Sequence, residues 1–176
     1  MSQNQNPDAA HFRVATDEQI LSECRREMSR GSGPGGQKRN KTSNAVCLVH
    51  IPTGLSVRAQ ETRSQNSNLK LALSRLRFLM VLEFRIALDE HFQIPDWLVQ
   101  NRSHGKLRIG PKSADYLKVI GTLLDMLAHH RWSLSQAAQA TGISTGNFAN
   151  LLKNDEKLMA FVNARRRAIG LKVLGD

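Results

Sequence analysis

Residues 45–60 read Ala45-Val46-Cys47-Leu48-Val49-His50-Ile51-Pro52-Thr53-Gly54-Leu55-Ser56-Val57-Arg58-Ala59-Gln60. The β-branched content of 45–51 predicts a strand, Pro52-Thr53-Gly54 predicts a tight turn, and 55–60 predicts a second strand running back along the first. Downstream, Leu69, Leu73, Leu76, Met80, Phe84 and Leu88 recur at spacings of three and four. That periodicity predicts a long amphipathic helix over 67–90, able to cover one face of the hairpin. Hairpin plus covering helix gives an α+β class: a small antiparallel sheet packed on a long helix.

Outward from this unit the signals change. Upstream, 16–28 reads as a short helix, with Thr16 and Gln19 at capping-box spacing and Ile20, Leu21 and Cys24 on one side. Residues 1–15 read as a disordered start. Between the short helix and the hairpin, 29–44 holds Gly31, Gly33, Gly35, Gly36 and Pro34 among polar and basic residues, which predicts a long mobile loop. Downstream, 91–112 contains Pro95, Gly105, Gly110 and Pro111 and reads as a basic linker. Beyond it, 114–130, 134–141, 145–153 and 155–169 all have helical periodicity. The expected organisation is therefore a first domain over 16–90, a linker over 91–112 and an all-α module over 113–176, with no internal repeat.

Charge narrows the function. The chain of 176 residues has a formal net charge of +10, which points to a polyanionic partner, nucleic acid above all. The stretch 31–60 carries Lys38, Arg39, Lys41 and Arg58 and no acid, so an anion is expected to dock there. Isolated lysines elsewhere are read as a solvated face. No apolar run is long enough for a membrane span, and the polar N-terminus does not read as a secretory signal, so the cytoplasm is the expected compartment. Cys24 and Cys47 lie far apart without a metal-type partner pair, which argues against a disulfide scaffold or zinc site, and no metal or cofactor is called for.

The string Arg30-Gly31-Ser32-Gly33-Pro34-Gly35-Gly36-Gln37-Lys38-Arg39-Asn40-Lys41-Thr42 places a flexible neutral tip inside a basic frame. Gly35 and Gly36 let the backbone approach a ligand closely, and Pro34 stiffens the entry. A nucleotide-cradling loop would need Lys followed by Ser or Thr after the glycines and a hydrophobic strand before them, and neither is present. With Gly35-Gly36-Gln37, Asn40-Lys41-Thr42, His50-Ile51-Pro52-Thr53-Gly54 and Glu61-Thr62-Arg63-Ser64-Gln65 in order, the chain resembles the catalytic domain of class I peptide chain release factors and their small ribosome-rescue relatives over roughly residues 28–76.

The resemblance implies hydrolysis of the peptidyl-tRNA ester in the peptidyl transferase centre of the large ribosomal subunit, with Gly35, Gly36 and Gln37 as catalytic residues. Gln37 has no titrating side chain and so cannot serve as a general base. In the family picture its backbone N–H stabilises the oxyanion, its side chain helps exclude nucleophiles bulkier than water, and the terminal tRNA ribose assists proton transfer. The same resemblance assigns Lys38, Arg39, Asn40, Lys41 and Arg63 to RNA contact, although many relatives carry a small apolar residue where Arg39 stands. Arg63 reads equally as an ordinary surface charge. His50 also matches, and a histidine in a strand is more often structural than catalytic.

Only 34 residues precede Gly35, so no stop-codon-reading region is expected, and hydrolysis without codon choice follows as the reading. The expected partners are large-subunit rRNA and peptidyl-tRNA, with the protein a monomer. The rescue relatives' basic disordered tail is replaced here by 134–151, which resembles a helix-turn-helix: Ala138 permits close helix approach and Gly142 makes the turn. The second helix offers Thr145, Asn147 and Asn150 but only Lys153 as a cation, which argues against DNA. A small bundle with Leu134, Ile143, Phe148, Leu151 and Leu158 as its core is the plainer reading. Arg165, Arg166 and Arg167 are candidates for RNA contact, or cations suited to a helix C-terminus. The competing function is a non-catalytic nucleic-acid-binding regulator with an idle glycine loop.

Overall fold

A computed structural model describes residues 9–29, 44–89 and 92–175. The fold is α+β, and the chain divides into two compact units, 1–84 and 85–176.

The first unit opens with helix α1, Ala9–Val14, and helix α2, Asp17–Ser22. The capping box is present: Thr16 Oγ1 accepts from Gln19 N–H at 3.2 Å, and Gln19 Oε1 accepts from Thr16 N–H at 2.7 Å. A helix continuing to residue 28 does not form. Cys24–Ser29 is instead strand β1, antiparallel to β2, Ala45–His50, which pairs with β3, Ser56–Ala59, in the order β1-β2-β3. Nothing local in Cys24-Arg25-Arg26-Glu27 favours a strand. A six-residue ladder with β2, from Cys24 opposite His50 to Ser29 opposite Ala45, overrides local propensity.

The predicted turn forms between β2 and β3. Gly54 has φ +70° and donates to His50 O at 2.8 Å, while His50 N–H donates to Leu55 O at 2.8 Å. Helix α3, Gln65–Glu83, crosses the sheet and buries Ala72, Leu73, Leu76 and Met80 against Val46 and Leu48 of β2, with Phe12 and Ile20 completing the core. Phe12 also corrects the expectation of a disordered 1–15 for the part described: its buried ring stands 5.3 Å from Phe84 and 5.4 Å from His50, and that anchors α1. Residues 1–8 lie outside the described residues. Helix α3 stops at Glu83, short of the expected 90: Phe84 N–H still donates to Met80 O, and the residues after it belong to the second unit. Ile86 N–H donates to the buried Asp125 carboxylate at 3.1 Å, and Arg85 lies 3.6 Å from the same group.

The second unit holds α4, Asp96–Asn101, a short ribbon of β4, Arg102–Ser103, and β5, Lys106–Leu107, and then four helices. Elements therefore occupy part of the stretch whose prolines and glycines read as linker. Helix α5, Tyr116–His129, is buried over most of its surface although Lys118, Thr122, Asp125 and His129 form a polar stripe on one face; α6 spans Leu134–Thr141, α7 Thr145–Lys153 and α8 Glu156–Ala168. Leu134, Ile143, Phe148, Leu151 and Leu158 are all buried, as a bundle core requires. Gly142 turns α6 into α7 at φ +65°, and a Cβ there would meet the Arg102 guanidinium, which caps α6 by donating to Thr141 O. No helix among the described residues is long and apolar enough to cross a membrane.

Candidate functional site

The glycine-rich segment stands between β1 and β2. Gly35, Gly36, Gln37, Lys38, Arg39, Asn40 and Lys41 lie outside the described residues, but the frame that carries them is described on both sides. Ser29 and Ala45 are register partners at the end of the β1–β2 ladder. The chain thus leaves the sheet at one strand and re-enters at its neighbour, with residues 30–44 between.

A buried asparagine secures the returning foot. Asn68, on α3 and 0% exposed, donates from Nδ2 to Asn44 O at 2.7 Å and to Thr62 O at 2.9 Å, and its Oδ1 accepts from Thr62 N–H at 2.9 Å. Asn44 itself donates to Thr62 O at 3.1 Å. All polar capacity of one amide is spent joining the foot of the glycine segment to the Glu61-Thr62-Arg63-Ser64-Gln65 turn. Ser64 then caps α3 by accepting from Ser67 N–H at 3.2 Å, and Glu61 pairs with Arg75 at 2.6 Å, a contact that lowers the Glu61 pKa. Asn68 was not among the residues singled out from sequence. Its signal was a polar residue at the same helical face as Ala72 and Leu76, four and eight positions on.

At the opposite end of β2, His50 is fully buried and both ring nitrogens are engaged. Its Nε2 lies 2.8 Å from Glu23 Oε2 and its Nδ1 2.8 Å from Thr53 Oγ1, so Nε2–H donates to the carboxylate and the Thr53 hydroxyl donates to Nδ1. Glu23 also receives His11 Nε2 at 2.9 Å on its other oxygen. The hydrogen bond from His50 holds the Glu23 carboxyl below its ordinary pKa, with the bond and charge of His11 adding to it and partial burial opposing. Burial and the neighbouring Glu23 charge push the Cys24 thiol up. This network ties α2, β1 and the β2–β3 turn together, the structural role expected of a strand histidine.

The remaining cations separate. Arg63 is exposed on the turn before α3. Arg165 lies over the Phe161 ring at 5.0 Å, and Arg167 is exposed. Arg166 turns inward: it is 9% exposed, its Nε donates to Lys172 O at 2.9 Å, and its Nη1 donates to Trp132 O. The fold occupies this guanidinium, because Trp132 sits at φ +61° in the α5–α6 turn and its carbonyl needs a donor.

A family model described as the RF-1 domain matches residues 17–93. Peptide chain release factor 2 of Acidovorax sp. (strain JS42) is 46% identical over 76 residues, 43% of this chain and 21% of that protein. Mitochondrial translation release factor in rescue is 54% identical over 55 residues in Danio rerio, 31% of this chain and 35% of that protein. Its Homo sapiens counterpart is 51% identical over 59 residues, 34% of each chain. The chain thus spans between about a fifth and about a third of these relatives' lengths. The matches bear out the resemblance to class I release factors and their rescue-type relatives, and they place it on residues 17–93, which carry β1, the glycine-rich segment, β2, β3 and α3.

Proposed function

We propose that this protein hydrolyses the ester of peptidyl-tRNA on the ribosome, without reading a codon. The observation that carries the reading is the placement of Gly35-Gly36-Gln37 between two strand ends paired at Ser29 and Ala45, with the returning foot clamped by Asn68. A tip that must reach a reacting ester needs freedom at its end and rigidity at its base, and a closed ladder with a buried amide clamp supplies the second.

In this proposal the Gln37 backbone N–H stabilises the oxyanion of the tetrahedral intermediate as water attacks the ester carbonyl. The Gln37 side chain narrows access to water, and the terminal ribose of the tRNA passes the proton to the leaving oxygen. Lys38, Arg39, Asn40, Lys41 and Arg63 hold rRNA or the acceptor end through contacts that position without reading sequence. Arg165 and exposed Arg167 join them in this proposal, whereas the Arg166 guanidinium is occupied by Lys172 O and Trp132 O. Codon independence draws on the relatives named for rescue, and the proposed compartment is the cytoplasm, although those relatives are named as mitochondrial. A monomer suffices for this chemistry.

The experiment is peptide release from purified ribosomes carrying a truncated mRNA. Wild-type protein is expected to release peptide, with no preference for stop over sense codons when a codon is placed in the A site. Gly36→Ala with Gln37→Ala is expected to lose roughly a hundredfold or more in rate, because a Cβ at position 36 restrains the backbone that must aim the residue-37 N–H at the oxyanion, while ribosome binding stays within a few-fold. Release by that double variant at the wild-type rate rules the assignment out.

A further inference from the structure

The segment after β5 lies along the outward side of α7, the second helix of the helix-turn-helix-like pair. Leu107 N–H donates to Asn147 Oδ1 at 2.8 Å, and seven residues along the helix Asn154 Nδ2 donates to Ile109 O at 3.3 Å. Two side-chain bonds, about two helical turns apart, hold an extended strand against the helix.

Between this segment and the helix lies a shallow, open cleft of 480 Å³ lined chiefly by Arg108, Ile109, Asn147, Asn150, Leu151 and Asn154. A second hollow of 290 Å³ uses the same strand on the side of α4 and α5, next to Trp97, whose indole has the Lys118 ammonium 4.8 Å from its centroid. The three asparagines, at positions i, i+3 and i+7, share one face of α7. Asn147 keeps its Nδ2 donor, Asn154 keeps its Oδ1 acceptor, and exposed Asn150 between them offers both. Around the asparagines, residues 97–114 carry Arg102, Lys106, Arg108 and Lys112, bounded by Asp96 and by Asp115, which lines the second hollow. Arg102 is taken by the α6 cap, but Lys106, Arg108 and Lys112 are exposed.

We propose that this cleft binds single-stranded RNA, with the asparagine amides facing base edges and Arg108 and its neighbouring lysines facing the phosphates. Asn150 offers a paired donor and acceptor at the spacing of a base edge, with the Asn147 donor and the Asn154 acceptor on either side, and unpaired bases are the form in which RNA exposes those edges. The exposed cations supply the attraction that neutral amides lack. The inference stands whether or not Gln37 carries hydrolysis, since every residue in it belongs to the second unit.

The test uses the full-length protein and a fluorescein-labelled single-stranded RNA octamer of mixed sequence, read by anisotropy across a salt series and by ¹⁵N shifts of side-chain amides. The Asn147, Asn150 and Asn154 amides are expected to shift on RNA addition. Asn150→Ala is expected to weaken binding by about three- to tenfold with an unchanged salt slope, the loss of one or two hydrogen bonds. Arg108→Ala should weaken it and lower the slope by about one. The proposal is overturned by shifts confined to residues 17–93, by wild-type affinity in Asn150→Ala, or by an octamer DNA duplex binding more tightly than the RNA. Displacement of the asparagine shifts by an acidic peptide but not by RNA overturns it equally.

Discussion

The Asn68 side-chain amide donates to the backbone carbonyl of Asn44, 24 residues earlier in the chain, at 2.7 Å, and the same amide brackets Thr62 from both sides. One helix residue thereby joins the foot of the glycine-rich segment to the turn before α3. Asn68→Ala is expected to leave the Asn44 and Thr62 groups short of partners and to cost about 2–3 kcal/mol of stability. Denaturant unfolding measures this, and peptide release by the variant is expected to fall further than its folded fraction does. A variant that unfolds like wild type would remove the clamp from the account.

Acid should act through Glu23. A carboxyl whose folded pKa lies below its unfolded value contributes stability that is complete above the unfolded pKa and is lost as pH falls through the folded one. Lowered chiefly by the His50 hydrogen bond, Glu23 contributes fully above the ordinary value of 4.5 and progressively less below it. Glu23→Gln keeps the shape and removes the charge, so its stability is expected to fall less steeply than wild type on acidification below that point. Parallel curves for the two proteins would show that the two histidines do not hold the charge.

The arginine triplet is expected to divide by role. Arg166→Ala removes the donors to Trp132 O and Lys172 O, and about 2 kcal/mol or more of stability should go with them. Arg167→Ala, at an exposed site, should leave thermal unfolding unchanged. If Arg167 contacts RNA, ribosome binding by Arg167→Ala weakens with a shallower salt dependence. Equal melting temperatures for the two variants would contradict the buried role of Arg166.

Two glycines at positive φ predict a contrast. Gly54 stands in open space at φ +70°, so Gly54→Ala should cost about 1 kcal/mol, the strain of a left-handed non-glycine residue. Gly142→Ala carries the same strain and also displaces Arg102 from the α6 cap, so its loss should be larger. Thermal unfolding of both variants settles the order, and a Gly142→Ala protein as stable as Gly54→Ala would mean that the Arg102 cap contributes nothing.

Those features that short-range chemistry dictates were legible in the residues alone. Pro52-Thr53-Gly54 can only turn, Thr16 and Gln19 cap one another, Gly142 ends α6, and 134–153 shows its two helices by apolar spacing. The glycine-glycine-glutamine string and its flanking motifs were likewise readable as an ordered set. What the sequence left open depends on partners far along the chain. Cys24–Ser29 is a strand because β2 supplies a ladder, and past the end of α3 the Ile86 amide is taken by Asp125, 39 residues on. Arg166 is buried because Trp132 leaves a carbonyl to satisfy, and Asn68 is a clamp because the fold brings Asn44 and Thr62 to one place. The segment beside α7 is held there by two asparagine bonds spanning 40 and 45 positions. Propensity and spacing act within a few residues, whereas a buried polar group is placed by whichever distant donor or acceptor the tertiary fold delivers to it.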